Sequence, residues 1–194
     1  MPSAATARVS TRCPARLLTG IRAATGKRAG WDETANLVAA ALRGHLPSPD
    51  VLTAHERAGD PGSYAQHILH TEDDGSFSVV ALVWRPGQVT PVHDHVTWCV
   101  VGVVAGAEYE ELFKLGGETA GHLLQVATRT NVAGSVGGFA PPGDIHRVRN
   151  CTGQTAISIH IYGADISRLG TSVRRCYDLP IFAKPVVTDG VAGR

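Results

Sequence analysis

The sequence predicts a mainly β protein, a sandwich or small barrel, with a helical segment ahead of it. Three observations predict this. From Tyr64 onward, short β-branched runs alternate with a period of two. Turn signals separate the runs: Asp73-Asp74-Gly75, Pro86-Gly87, Gly116-Gly117, Pro141-Pro142-Gly143 and Thr152-Gly153. Glycine (22) and proline (11) are plentiful, as a chain of many turns requires. A chain of 194 residues is one generous domain, or one domain with an addition. It buries about 70% of its unfolded surface, enough for a core of its own.

The elements follow in order. Met1 to Gly20 is rich in Ala, Thr and Arg but has no continuous apolar stretch, so it reads as a frayed tail rather than a secretory signal. Ala15–Ala24 has the composition of a short helix. Trp31, Ala35, Val38, Ala39, Leu42 and Leu46 recur at helical spacing, with Asp32 or a neighbour to cap the helix and Pro47 to stop it. Residues 49–62 are a turn-rich link with a further short helix over Val51–Ala58. Strands are expected at His67–His70, Phe77–Trp84, Thr97–Val104, Glu108–Leu115, His122–Thr130, Gly134–Phe139, Ile145–Asn150 and Ala156–Tyr162. Beyond Tyr162 the pattern weakens, and Pro180 and Pro185 mark a wrapping segment. The expected organisation is an N-terminal tail and helical segment over 1–62, packed on a barrel over 63–194.

Composition excludes several functions. Lys and Arg number 18 against 17 Asp and Glu, a net charge of +1, which excludes charge-driven binding to nucleic acid or to a membrane surface. The longest apolar run, Trp98–Ala107, is far short of the roughly 20 residues of a membrane helix. Cys13, Cys99, Cys151 and Cys176 form no CxxC pair, which argues against a structural zinc site and a disulfide framework. A cytoplasmic location with reduced thiols is the expectation.

The chemistry concentrates in two places. His93 and His95 stand two apart, so on a strand their imidazoles share a face and can converge on one metal. His146 follows the Pro141-Pro142-Gly143 turn. In Ala156–Tyr162, alternation puts Ile157, Ile159 and Ile161 on one face and Ser158, His160 and Tyr162 on the other. That polar row is either the outer face of a half-exposed strand or a hydrogen-bonded relay inside the barrel. In the relay, Ser158 orients His160 and His160 holds the Tyr162 hydroxyl. Trp98 either lines a pocket or packs in the core. His67, His70 and His122 read as structural or surface residues, and Cys13, Cys151 and Cys176 as small hydrophobes or exposed thiols. A nucleotide-type cofactor is not expected, since no GxGxxG follows a strand and no phosphate-binding loop is present.

These residues carry a resemblance. Gly87, His93, His95, Cys99 and Gly106 are spaced as in the first cupin motif, and Pro141, Gly143, His146 and Asn150 as in the second. The second motif expects glycine where Ser135 stands, with Gly134 beside it. The first expects a glutamate ligand where Cys99 stands, and the nearest carboxylates downstream, Glu108 and Glu110, are a hairpin away. Three histidines without that glutamate, followed by Ser-x-His-x-Tyr, resemble the thiol dioxygenases of the cysteine dioxygenase family. The stretch RPGQVTPVHDHVTWCVVGVVAGAEYEELF is similar to their bacterial branch. The resemblance runs from about Tyr64 to Tyr162.

It implies a cupin double-stranded β-helix, a jelly-roll barrel with an N-terminal helical cap. It further implies a mononuclear iron(II) enzyme adding both atoms of O2 to a small thiol to give a sulfinic acid. His93, His95 and His146 would hold the iron, and Ser158, His160 and Tyr162 would form an outer triad. Gln66 falls where one branch has an arginine for the substrate carboxylate, so the resemblance is to the glutamine-type branch acting on 3-mercaptopropionate rather than L-cysteine. Arg168, Arg174 and Arg175 are further candidates for that carboxylate. Vertebrate-type members join a cysteine near the glutamate position to the triad tyrosine by a thioether. Cys99 and Tyr162 are the corresponding pair, although Cys99 lies one residue closer to the histidines than in that pattern. Partners are then the thiol and O2, with no nucleic acid and no membrane. Two rivals remain: a zinc or manganese isomerase of cupin type, and a non-catalytic cupin acting as a small-molecule sensor.

Overall fold

The computed structural model describes residues 12–117 and 121–183. Residues 1–11 of the N-terminal tail and Pro185 lie outside the described residues. Helices α1 (Ala15–Thr25) and α2 (Trp31–Gly44) come first, then a 3-10 turn (Pro49–Val51) and α3 (Ala54–Arg57). Nine strands follow: β1 (Ala65–Thr71), β2 (Ser78–Trp84), β3 (His93–His95), β4 (Cys99–Ala105), β5 (Ala107–Gly116), β6 (His122–Val132), β7 (Val136–Phe139), β8 (His146–Arg149) and β9 (Ala156–Tyr162). The segment after Tyr162 adds α4 (Ile166–Leu169), β10 (Val173–Cys176) and β11 (Ile181–Ala183).

The strands form two sheets, ordered β1-β2-β9-β4-β7 and β10-β3-β8-β5-β6-β11. Pairing is antiparallel except for β11, which runs parallel to β6. Facing sheets, exchanged strand order and an N-terminal helical layer make this the cupin jelly roll.

Every residue of β2 and of β9 is buried. A strand buried on both faces needs cover on both. On one face Val79, Ala81, Val83, Val100, Ile157, Ile159 and Ile161 pack against Leu17, Leu18 and Ile21 of α1 and Val38 and Leu42 of α2. On the other, Val80, Leu82, Trp84, Cys99, Val148 and Tyr162 pack together between the sheets. The polar row of β9 is therefore internal, and the alternative of a half-exposed strand falls. A smaller cluster of Val92, Phe113, Leu123 and Ile145 closes the second sheet at the other end.

Several sequence expectations change. Residues 15–20 belong to α1 and not to a frayed tail. Asp32 does not cap α2. Gly30 is the N-cap without a side-chain bond, and Asp32 and Glu33 sit in the first turn, where they favour the helix dipole. The segment expected to wrap irregularly supplies two short strands, β10 along β3 and β11 along β6. Strands of four and three residues are too short to show alternation. Trp98 packs in the core under the helices. His70 and His67 are structural, with His70 Nε2 2.9 Å from Glu72 and His67 Nδ1 3.5 Å from Glu56. Gly106, at φ 68, turns β4 into β5, and a Cβ there would lie 2.9 Å from the Ala156 backbone.

Leu42 is fully buried between α2 and the sheet. Leu42→Ala is expected to lower unfolding stability by about 2–5 kcal/mol, read as a shifted urea midpoint at unchanged slope. A loss under about 1 kcal/mol would mean that α2 does not pack as described.

Candidate metal centre

The three sequence-selected histidines come together. His93 and His95 share one face of β3, and His93 is the direct cross-strand partner of His146 on β8. Register alone thus brings three imidazoles to one point. Ring centroids are 4.9 Å apart for His93 and His95, 4.7 Å for His93 and His146, and 5.0 Å for His95 and His146. One nitrogen of each lies within 4.8 Å of the others, and all three residues are buried.

Each ring is held from behind through Nδ1. His93 Nδ1 is 2.9 Å from the Pro91 carbonyl, His95 Nδ1 is 3.0 Å from Asp144 Oδ2, and His146 Nδ1 is 2.8 Å from Glu110 Oε1. A carbonyl and two carboxylates can only accept, so each Nδ1 donates and Nε2 is left as the nitrogen available to a metal. Burial, reinforced by His146 and His95, lowers the pKa of His93 to about 3. Burial likewise lowers that of His95, against the hydrogen bond to Asp144. The donor set is imidazole, which suits iron, zinc, copper or nickel, and these residues fit such an ion. Burial would raise the pKa of Asp144 and of Glu110, but the hydrogen bonds from His95 and from His146 keep both carboxylates charged.

Sequence reasoning missed Asp144 altogether and set Glu110 aside as a hairpin away. Glu110 does reach the site, although as the partner of His146 rather than in place of Cys99. Pairing of β5 with β8 brings it there, with Glu110 opposite Val148.

The relay row faces the histidines from the opposite sheet. Ser158 Oγ is 2.9 Å from His160 Nε2, and the Tyr162 hydroxyl is 3.1 Å from His160 Nδ1. Trp84 Nε1 donates to Ser158 Oγ at 3.2 Å. Burial, with His95, His146 and His93 nearby, lowers the pKa of His160 to about 3, so the ring is neutral. Burial holds the Tyr162 phenol and the Cys99 thiol protonated, far above their usual ranges. Cys99 is the register partner of Tyr162 on β4, and its Sγ lies 4.0 Å from His160 Nδ1. Tyr162 also stacks on His95, with centroids 6.3 Å apart.

A pocket opens onto the three histidines and onto His160 and Tyr162 of the relay. Tyr64, Gln66, Thr90, Tyr162, Thr171 and Ser172 supply its other polar groups. Gln66 stands exposed at its edge. Arg168, Arg174 and Arg175 do not line it. Arg174 pairs with Asp94 through both Nε and Nη2, Arg175 stacks on Tyr177 at 5.6 Å, and Arg168 is exposed on α4. No arginine, lysine, aspartate or glutamate is among the residues lining this pocket.

A jelly-roll barrel with three inward imidazoles on one sheet, and a serine–histidine–tyrosine row opposite, defines a metal-binding cupin. The chain belongs to the cysteine dioxygenase type I family, whose model matches residues 50–171, and so to a family of dioxygenase enzymes. Among solved structures the chain is similar to the cupin domain of an XRE-family transcriptional regulator from Enterobacter cloacae, at 19% identity over 51% of this chain and 94% of that chain, TM-score 0.37. It is similar to a protein with a double-stranded β-helix domain from Klebsiella pneumoniae, at 17% identity over 59% and 84%, TM-score 0.43. It is similar to oxalate oxidase in complex with the substrate analogue glycolate, at 21% identity over 62% and 60%, TM-score 0.44. These are likenesses of fold. Among the described residues no helix is long and apolar enough to cross a membrane.

If the Nδ1 acceptors orient the ligands, Asp144→Ala and Glu110→Ala each lower metal affinity about 10- to 100-fold in a competition titration against a chelator. His93→Ala abolishes stoichiometric binding. Unchanged affinity in both carboxylate variants would separate those residues from the metal.

Proposed function

We propose that the protein is an iron(II)-dependent thiol dioxygenase converting a small thiol carboxylate, 3-mercaptopropionate in preference to L-cysteine, to its sulfinic acid. His93, His95 and His146 are the proposed iron ligands, and Ser158, His160 and Tyr162 the proposed catalytic relay. The observation that carries the reading is the three-histidine cluster facing that relay in a chain of the cysteine dioxygenase family. Iron held there by His93, His95 and His146 would supply the redox chemistry that joins a thiolate to O2. Around it, Phe139 and Val148 wall off water, His95 and Tyr162 stack, and His160 holds the Tyr162 hydroxyl towards the pocket. A protonated phenol at that point donates to an anionic group or accepts from a neutral one. The reading includes a cytoplasmic enzyme acting on a small molecule and O2, without nucleic acid or membrane.

The lining supports the substrate preference. With no guanidinium in the pocket, a carboxylate is met by neutral donors, Tyr162 and Gln66 among the candidates. With no aspartate or glutamate there, the ammonium group of L-cysteine finds no charged partner. Burying a polar group without a partner costs about 1–3 kcal/mol, more for a charged one. Iron-loaded protein assayed by oxygen uptake is therefore expected to give a kcat/KM at least about tenfold higher for 3-mercaptopropionate than for L-cysteine, mostly through KM. A preference for L-cysteine at matched iron would make Gln66 a bystander, and oxidation of neither thiol would leave the sensor reading.

The register pairing of Cys99 with Tyr162 supports a thioether between them: as the carbon–sulfur bond forms, the thiol and the phenol ring each lose one hydrogen, and O2, the oxidant of the proposed activity, takes up the two electrons and two protons. Peptide mapping after turnover is expected to find the joined peptide; a fully alkylatable Cys99 in active protein would exclude it.

A further inference from the structure

Glu108 has no part in the chemistry described so far. It lies on β5 at 2% exposure, and its Oε1 has no hydrogen-bond partner among the described residues. Glu108 and Glu110 stand two apart and share one face of the strand. Glu110 reaches His146 inside the barrel, so Glu108 faces the interior as well. There it lines a second cavity of about 530 Å³, partly open to solvent. Residues of β4, β5, β6 and β7 wall this cavity, whereas β1, β2 and β10 contribute to the pocket that opens onto the three histidines. His146, His160, Phe139 and Val148 border both, so the second cavity reaches to the wall of the metal centre. A missing side chain keeps it open. Gly137 on β7 lines the cavity, and a Cβ built there would meet nothing within 4 Å. At the next residue, Gly138, a Cβ would lie 3.1 Å from the Ala35 carbonyl oxygen of α2, so by strand alternation Gly137 points away from the helices and into the cavity. Gly137 is not among the positive-φ glycines, so neither backbone conformation nor crowding requires a glycine there. A glycine inside a strand weakens it, and it often marks a place where a ligand or another backbone approaches closely.

We propose that this cavity is a second small-molecule site, for an organic ammonium ion carrying a short apolar chain, with Glu108 as its anchor. Charge and ligand count select the occupant. An anion would meet two carboxylates, Glu108 and Glu110. A metal ion needs at least a third ligand, and among the described residues the group able to hold one is His93, His95 and His146, without Glu108. A wholly apolar molecule would leave Glu108 Oε1 buried and unpartnered. An ammonium supplies three donors. Asn131 on β6 is the direct cross-strand partner of Glu108, so the two side chains leave the ladder as neighbours on one face. Asn131 Nδ2 donates to Glu110 Oε2 at 3.4 Å, which leaves its Oδ1 to accept. Glu108 and Asn131 thus offer oxygens to one cation, while Val101, Val103, Phe139 and Val148 offer apolar surface to its chain.

Glu110, Arg129, His146 and His160 are the other titratable or charged groups lining the cavity. Glu110 is committed to His146, and Arg129 is exposed, where solvent and salt screen its charge. Burial pushes the Glu108 carboxyl up to about 7, so the anchor is charged in mildly alkaline solution, where an alkylammonium, like lysine, keeps its proton. The site does not depend on the dioxygenase reading, and its test needs no thiol.

The test titrates isotope-labelled full-length protein, loaded with zinc as a diamagnetic ion that suits imidazole, with n-propylammonium chloride at about pH 8 and constant ionic strength. Amide NMR is the readout. The Asn131 side-chain amide and the Gly137 and Gly138 backbone amides are expected to shift to saturation, with a Kd of about 1 mM or tighter. Propanol, the same chain without the charge, should bind at least about tenfold more weakly. Glu108→Gln, which keeps the shape of the side chain, should weaken ammonium binding at least about tenfold. Gly137→Leu, which fills the cavity from the strand that has room and leaves Glu108 in place, should abolish it. Equal affinity for propanol and the ammonium overturns the proposal, as does unchanged affinity in Glu108→Gln or in Gly137→Leu. Shifts confined to Gln66, Thr171 and Ser172 also overturn it, by placing the ion in the other pocket. The absence of any saturable shift would overturn it too and leave the cavity to water.

Discussion

The structure depends on one strand being buried on both sides. β9 lies in the middle of its sheet, between β2 and β4, and all of its residues are buried. Its isoleucines must meet apolar matter, which α1 and α2 bring. Its alternate residues then have to face the barrel interior, where a serine, a histidine and a tyrosine would be costly unless each found a partner. They find one another. The same two-residue period that docks the helices therefore builds the polar row, and neither can shift by one residue without destroying both.

Opposite that row, charge has been moved one step away from the ligand atoms. The three imidazoles present nitrogen, while Asp144 and Glu110 stand behind two of them as carboxylates and the Pro91 carbonyl stands behind the third. A bound cation would feel those negative charges through the rings, without a carboxylate taking a coordination position. The arrangement also settles each ring's tautomer before any metal arrives. The pocket in front of them has no arginine, lysine, aspartate or glutamate in its lining, so contacts to an anionic ligand would fall to hydroxyls and amides.

Much of this was legible in the sequence because it follows from periods of two and from fixed spacings. His93 and His95 two apart, the Pro-x-Gly turn ahead of His146, and the isoleucine alternation of β9 all carry their geometry within a few residues. What was not legible depends on pairing between distant strands. Glu110 reaches His146 only through the β5–β8 register, and Asp144 reaches His95 across 49 positions. Glu108 reads as one more polar residue in an alternating strand until the opposite sheet closes over it. Arg174 looked free for a ligand because its partner, Asp94, lies 80 positions away. β10 and β11 went unread because three or four residues show no period.

The strand that carries two of the histidines is only three residues long, and a single residue pair ties it to β8. Its other edge is held by β10, and Asp94, between the two histidines, is gripped by Arg174 and by the Tyr177 hydroxyl at 2.7 Å. The histidines all leave the ribosome before residue 147, but the clamp that holds their strand comes some thirty residues later. Assembly of the three-histidine cluster thus waits for the synthesis of β10 and Tyr177. An ion meeting the nascent chain earlier would find histidines without a frame, so any preference among metals would belong to the folded strand pair rather than to the histidines alone.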